Sequence, residues 1–595
     1  MASTDNRRPL RSRLWFDDPG NPKMTALYLE RYLNYGLTRA ELQSGRPIIG
    51  IAQTGSDLVP CNRHHLLLAE RVRDGVRDAG GVPLEFGVHP LQETGKRPTA
   101  ALDRNLAYLS LVEILYGYPL DGVVLTTGCD KTAPAGLGAV ITVNIPAIVL
   151  SGGPMLNGHY MGRLAGSGTV IWEARRLWAA GEIDYRQFMD MAAASAPSAG
   201  HCNTMGTASS MNALAEALGM SLTGCAIIPA PYRERAQIAY DTGYRIVGMV
   251  EEGLAPSRVI TRAAFENAIR VAAAVGASTN CPIHINWLAR QAGIELSDED
   301  WNAIGREIPL LVNCMPAGEF LGEDFYRAGG VPAVMGELLR AGKLDPKPLT
   351  VSGQSIGDAV REKVATDRRV IRPYDEPLVR DAGVLMLSGN LFDSAVMKTS
   401  VITPEFRRAY LSDPADPDAF VARAIVFEGP EDYQARINDP ALGIDRDCIL
   451  VMRNVGPVGY PGSAEVVNMQ PPDHLIREGV LSLPTLGDGR QSGTSASPSI
   501  LHASPEAARG GGLALLRTGD RIRVDLGRKR VDLLASRDEI ELRRRCRQSL
   551  ELIDETPWQE IYRRLVGSLS EGACLELGLK FRDIVGKHEA PRHSH

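Results

Sequence analysis

The sequence predicts an α/β protein in two units: a mostly parallel α/β sheet domain, then a smaller β-rich domain. Three observations point there. The chain has 595 residues, beyond the roughly 250–300 at which single hydrophobic cores stop growing. From Pro47 short apolar runs alternate with helical patterns, and past about Gly353 the pattern changes to short strands punctuated by Gly, Pro and Asp.

In chain order, PIIGIAQ reads as a strand, and Leu66 to Val76, at helical spacing, as a helix closed by Gly80 and Gly81. VPLEFGV is the next strand, a helix runs near Thr99 to Tyr116, and DGVVLTT and IPAIVLSGG are two further strands. Helical patterns dominate from about Ser209 to Leu339, as in AAFENAIRVAAAV and PAVMGELLRAGK. The charged stretch VREKVATDRRVIRPYDEPLVRDAG has little apolar periodicity and reads as a connection, with the boundary near 355–382. The expected domains are therefore 1–365 and 380–595, and GVLMLSG, ARAIVFEG, DCILVMRNV and DRIRVDLGRKRVDLL are strands of the second. The cluster Gly510, Gly511 and Gly512 reads as a loop.

Composition excludes several classes. With 44% hydrophobic and 23% charged residues the chain has ample material for burial. A formal charge of −6 with scattered Lys and Arg offers no basic stripe for phosphates, so nucleic acid is not an expected partner. No apolar run is long enough to cross a bilayer, and Met1 to Asn21 lacks a signal-peptide core. Nine cysteines without framework spacing point to a reducing compartment, the cytoplasm.

Three of those cysteines lie in polar, glycine-rich turns: Cys61 in QTGSDLVPCNRHH, Cys129 in TTGCDKTAPAG and Cys202 in SAGHCNTMGTASS. Cys61 and Cys129 each follow a predicted strand and precede a helix, where a thiolate is stabilised and where open α/β sheets gather ligands. A single such cysteine is as well explained as a small buried hydrophobe. No CxxC zinc motif is present, whereas three converging thiolates suit an iron-sulfur cluster with one open position. Oxygen ligands for magnesium are at hand in Asp130, in Glu93 of HPLQETGKRP and in Glu465 of GYPGSAEVVNM, although any one carboxylate also reads as a solvated charge. Lys131, beside Asp130, is either an ion-pair partner or the carrier of a carbamate. PTLGDGRQSGTSASPS places Ser492 among hydroxyls, two residues after Arg490; neither GxSxG nor a Ser/His/Asp set accompanies it.

Taken together, TGSDLVPCN, TTGCDKTAPAG, SAGHCNTMGTASSMN, PGSAEVVNMQPPDHL and LPTLGDGRQSGTS resemble the dihydroxy-acid, phosphogluconate and sugar-acid dehydratase family, nearest its pentonate branch, from about Ser12 to the end. The resemblance implies that Cys61, Cys129 and Cys202 hold the cluster, 2Fe-2S rather than 4Fe-4S, and that Glu93, Asp130, carbamylated Lys131 and Glu465 surround Mg2+. It implies Ser492 as the base, Thr494 as an aid to the leaving hydroxyl, and Ser278, Thr279 and Arg490 on the substrate side. Thr94 and Gly95, after Glu93, depart from the pentonate pattern. A barrel-like second domain closing over the first is also implied, with a homo-oligomer, dimer or tetramer, and a C-terminal PRHSH tail ordered in it.

The expected activity is a hydro-lyase that removes the C2 proton and C3 hydroxyl of a sugar acid, a pentonate such as D-xylonate, giving the 2-keto-3-deoxy acid. Two rivals are a dihydroxy-acid dehydratase of branched-chain amino-acid synthesis, and a non-catalytic iron-sulfur electron-transfer or sensor protein. A third is an α/β scaffold with merely buried cysteines.

Overall fold

The computed structural model describes residues 10–593. Its first sheet comprises β1 (Ile48–Gln53), β2 (Val82–Gly87), β3 (Gly122–Thr127) and β4 (Ala147–Ser151), in the order β2-β1-β3-β4 and parallel throughout. β1, β3 and β4 are buried along their whole length, as their unbroken apolar runs require of strands covered on both faces. The covering helices include α1 (His65–Asp78), α2 (Ala101–Gly117) and α3 (Thr132–Val143). α1 is amphipathic and buries Leu68, Val72 and Val76, whereas α3, apolar all round, is buried at every residue. β2 and β3 flank β1 on opposite sides, so the strand order reverses between β1 and β3. Ligands of open parallel sheets bind at the carboxyl ends beside such a point.

Between β4 and the helices α6 (Thr207–Ala217), α7 (Arg233–Glu251), α8 (Arg262–Val275) and α9 (Cys281–Ala292) stands a small cap. It contains the hairpin Gly158–Tyr160 and Arg163–Ala165 and the helices α4 (Thr169–Ala180) and α5 (Tyr185–Ala194). The cap has an apolar core of its own around Val170, Ala174 and Met191, separate from the main core.

The second sheet has eight strands: β5 (Val384–Leu387), β6 (Ser394–Lys398), β7 (Ala419–Phe427), β8 (Cys448–Met452), β9 (Thr485–Gly487), β10 (Ile500–Ser504), β11 (Arg521–Asp525) and β12 (Arg530–Leu533). Their order is β12-β11-β7-β8-β9-β10-β6-β5, with β7, β8, β9 and β10 mutually parallel. The two outer strands meet where Ser388 N donates to Lys529 O at 3.0 Å and Val531 N to Ser388 O at 2.9 Å, which rolls the sheet into a nearly closed barrel. Alternate residues such as Leu387, Met397, Ala424, Val451, Ile522 and Val531 fill its inside, the packing expected of about eight strands.

The stretch read as a bare connection packs closely. It opens with the helix Ile356–Val360, buries Val370 and Ile371, and pairs Ile371 with Val312 and Val379 with Leu310. In the glycine cluster Gly510 and Gly511 link two 3-10 turns, Ala507–Arg509 and Gly512–Leu515, and Gly512 opens the second. Of the PRHSH tail, Ser594 and His595 lie outside the described residues. Arg592 pairs with Asp18 at 2.8 Å, and its carbonyl accepts from Tyr28.

Candidate active site

The three cysteines end up on one wall of a cavity of about 550 Å³. Cys61 lies in the turn Pro60–Asn62 between β1 and α1, Cys129 between β3 and α3, and Cys202 five residues before α6. Asn62 joins the first two turns: its Oδ1 accepts from Cys129 N at 2.8 Å, and its Nδ2 donates to Thr54 Oγ1 at 3.0 Å. Ser209, on α6, donates to Cys202 O at 3.1 Å. Gln92 donates to Cys61 Sγ at 3.7 Å and Ser167 to Cys202 Sγ at 3.2 Å. The neighbouring Cys129 thiol outweighs burial and lowers the Cys61 pKa to about 7, while Cys129, whose Sγ donates to Asp130 Oδ1 at 3.4 Å, is itself raised. Burial pushes Cys202 up to about 12.

Beside this wall Glu93, Asp130 and Glu465 converge on the fully buried Lys131. Lys131 Nζ lies 2.9 Å from Glu93 Oε2 and 3.6 Å from Glu465 Oε1, and it donates to Asp130 Oδ2. Burial works to depress the Lys131 pKa, yet the three carboxylates outweigh it and hold it above the ordinary lysine value. Glu465 is raised by burial to about 8, against the pull of Lys131. Its Oε1 accepts from Asn280 Nδ2 at 2.5 Å and its backbone N donates to Glu93 Oε1 at 3.2 Å, so the two carboxylates are tied across the two sheets. Among the described residues no three His, Cys, Asp or Glu side chains stand ready to hold a metal ion, and the Lys131 ammonium fills the centre of this cluster.

The opposite wall comes from the barrel. Glu465 lies in the loop after β8 and Ser492 and Thr494 in the loop after β9; parallel neighbours deliver both loops to the same end. Asn468 braces them, its Oδ1 accepting from Ser492 N at 2.9 Å and its Nδ2 donating to Glu465 O at 2.7 Å. Ser492 Oγ and Thr494 Oγ1 are 2.8 Å apart. A Cβ on Gly493 would come within 2.6 Å of Ser278 Oγ and 2.7 Å of Thr207 N, so only glycine lets the loop seat this closely.

Glu93, Asp130, Glu465, Ser492, Thr494 and the three cysteines all line the cavity. Ser278 and Thr279 do not: both are buried, and Ser278 Oγ is 2.9 Å from Thr207 Oγ1. Arg490 also lies outside the cavity wall, fully buried, and its Nε, Nη1 and Nη2 find no hydrogen-bond partner among the described residues. Gln92, Asn280, Asn468 and Trp172 escaped the sequence reading, since amides and an indole inside apolar or turn patterns carry no chemical signature. His201 escaped it too. It lines the cavity with its pKa pushed down to about 3 by burial, hence as neutral imidazole.

Comparison with known proteins places the chain in a family. Residues 46–359 match the family model described as dihydroxy-acid/6-phosphogluconate dehydratase N-terminal, and residues 369–573 the corresponding C-terminal model. The chain is 61% identical to the D-xylonate dehydratase of Caulobacter vibrioides over 100% of both chains. It is 44% identical to the L-arabinonate dehydratase of Rhizobium leguminosarum over 90% of each, and 44% identical to the L-arabonate dehydratase of Azospirillum brasilense over 100% of each. With both halves matched and whole-length identity this high, the chain belongs to the dihydroxy-acid/6-phosphogluconate dehydratase family.

Proposed function

We propose that the protein is a sugar-acid dehydratase that converts a pentonate, D-xylonate foremost, to its 2-keto-3-deoxy acid. The observation that carries the reading is that three cysteines, three carboxylates gathered on a lysine, and a paired serine and threonine face one cavity. Whole-length identity to a D-xylonate dehydratase supports the choice of substrate. So do the polar side chains of Gln92, Arg97, Ser198 and Asn468, which suit a polyhydroxy acid better than a branched aliphatic one.

The donors are of the right chemistry for the family's two cofactors, although they are not gathered as ligands while Lys131 stands as an ammonium among the carboxylates. Cys61, Cys129 and Cys202 would hold an iron-sulfur cluster, 2Fe-2S in our reading, and leave one position open. Glu93, Asp130 and Glu465 would hold Mg2+ once Lys131 ceases to be a cation, as a carbamate would make it. Bound there, the two groups supply Lewis acidity, at the C3 hydroxyl and at the carboxylate with the C2 hydroxyl. Ser492 Oγ, as its alkoxide, takes the C2 proton; the C–H electron pair becomes the C2–C3 double bond, and the C3–O pair departs with the hydroxyl, which Thr494 helps to release. The resulting enol tautomerises to the ketone with no net electron transfer. The cytoplasm, a homo-oligomer (dimer or tetramer), and domains spanning 1–365 and 380–595 complete the proposal.

A panel of D-xylonate, L-arabinonate, D-gluconate and a branched dihydroxy acid tests it. The highest kcat/KM is expected for a pentonate, and preference for the branched acid would overturn the substrate assignment. Chelation of divalent cations should stop turnover while visible absorbance persists. Ser492→Ala should keep iron and magnesium, lose about 10³-fold in kcat and abolish C2-proton exchange with deuterated solvent. Near-normal turnover in this variant would remove Ser492 as the base.

A further inference from the structure

The cap meets the barrel at one polar contact inside the cavity: Trp172 Nε1, on α4, donates to Thr494 Oγ1 at 2.9 Å. Thr494 Oγ1 is in turn 2.8 Å from Ser492 Oγ, and Thr494 N donates to Ser492 Oγ at 3.3 Å. An indole nitrogen only donates, whereas a hydroxyl has one proton to give and two lone pairs to accept with. The Trp172 contact therefore has a single direction, and it leaves the Thr494 proton with nothing to point at on the indole side. The remaining partner is Ser492 Oγ. We infer that Trp172 is a positioning residue that turns the Thr494 hydroxyl toward Ser492 before proton transfer, so that the serine oxygen is met by two donors while it carries negative charge; once Ser492 holds the C2 proton, the Thr494 proton is free for the leaving hydroxyl.

The local packing serves this placement. Arg175 stands over the Trp172 ring with its guanidinium carbon 5.1 Å from the centroid, a cation–π contact that holds the indole plane. Gly168, just before α4, has φ +79°, and a Cβ there would come 2.3 Å from Thr494 Oγ1, so the backbone itself is cut back to admit the threonine. Donors aimed at the place where charge develops act without reorganisation, and their effect falls on turnover more than on binding.

The inference rests on Ser492 as the base, and the experiment separates the two. In the cofactor-loaded protein, Trp172→Phe should lower kcat at neutral pH about ten-fold and leave KM within about two-fold. It should also move the acid limb of the kcat profile up by about one pH unit, since a base less well stabilised as the anion deprotonates later. In a Ser492→Ala background the same substitution should change residual turnover less than two-fold (about 0.4 kcal/mol). Should Trp172→Phe lose its cluster absorbance, replacement by β-(3-benzothienyl)alanine, which has sulfur for N–H in the same ring shape, makes the same test. An unshifted pH profile, or an equal loss in both backgrounds, overturns the positioning role. Near-normal turnover in Ser492→Ala alone would instead overturn the base reading.

Discussion

The two walls of the cavity are built in different ways. The cysteine wall rests on turns at the ends of β1 and β3 and before α6, the first two joined by Asn62, the second held to α6 by Asn212 Nδ2 donating to Gly128 O at 3.2 Å, and the third tied to the same helix by Ser209. The serine wall is a pair of barrel loops seated on the other unit by side-chain contacts: Asn280 to Glu465, Glu465 N to Glu93, and Trp172 to Thr494. The first wall should tolerate disturbance of the second, and not the reverse, because the cysteine turns are braced within their own unit whereas the barrel loops are seated on it.

The sharpest way to break that asymmetry is Cys129→Ser. Loss of bound iron, visible absorbance and all measurable turnover is expected, with the far-ultraviolet circular dichroism unchanged; a variant that keeps its full iron content would refute the ligand role. A smaller effect is expected from Asn280→Ala, which frees Glu465 without touching a cysteine. Orienting partners of this kind are worth roughly 10–100-fold in metal affinity, so the Mg2+ requirement for half-maximal activity should rise by that factor at constant iron content. Equal loss of iron would mean that the two walls form one unit.

The smallest effect concerns the frame behind the cysteine wall. On α6, burial raises Glu216 to about 7, against backbone donation from Ala226 and Gly224 and the more distant pull of Arg235 and Lys363. Its folded pKa lies above the ordinary carboxylate value, so its contribution to stability is full below about pH 4.5 and is lost as pH rises through about 7. The change is of order 1–3 kcal/mol. Glu216→Gln, neutral throughout, should be less stable below about pH 5, since one of the two backbone N–H donors then meets an NH₂ group. It should also flatten the dependence of the thermal midpoint between pH 5 and 7.5. An unchanged slope would exclude Glu216 as its source.

Much of the first sheet was legible because parallel strands buried on both faces leave unbroken apolar runs, as in Ile48–Gln53 and Gly122–Thr127. The turns of Cys61 and Cys129 were legible for the same reason, since each follows such a strand, whereas that of Cys202 showed only as a polar, glycine-rich stretch. Glu93 and Glu465 are another matter: each sits in an irregular loop, and only whole motifs, not spacing, join positions so far apart. Residue type does not reveal direction, so Arg490 was expected at the substrate and is found buried behind the cavity wall without a hydrogen-bond partner among the described residues. Charge and missing periodicity marked 355–382 as a loose connection, but isolated bridges at Ser355, Ile371 and Val379 hold it to the first unit. Pairings so short leave no periodic trace.

The division of labour along the chain also imposes an order in time. Cys202 is the last of the three cysteines and Ser492 lies 290 residues beyond it. At roughly 5–20 residues per second, a growing chain exposes the complete cysteine wall about 15–60 s before the serine exists. If these cysteines are the cluster ligands, as proposed, iron and sulfide would meet their receptor on a nascent protein that has no means yet of acting on a sugar acid.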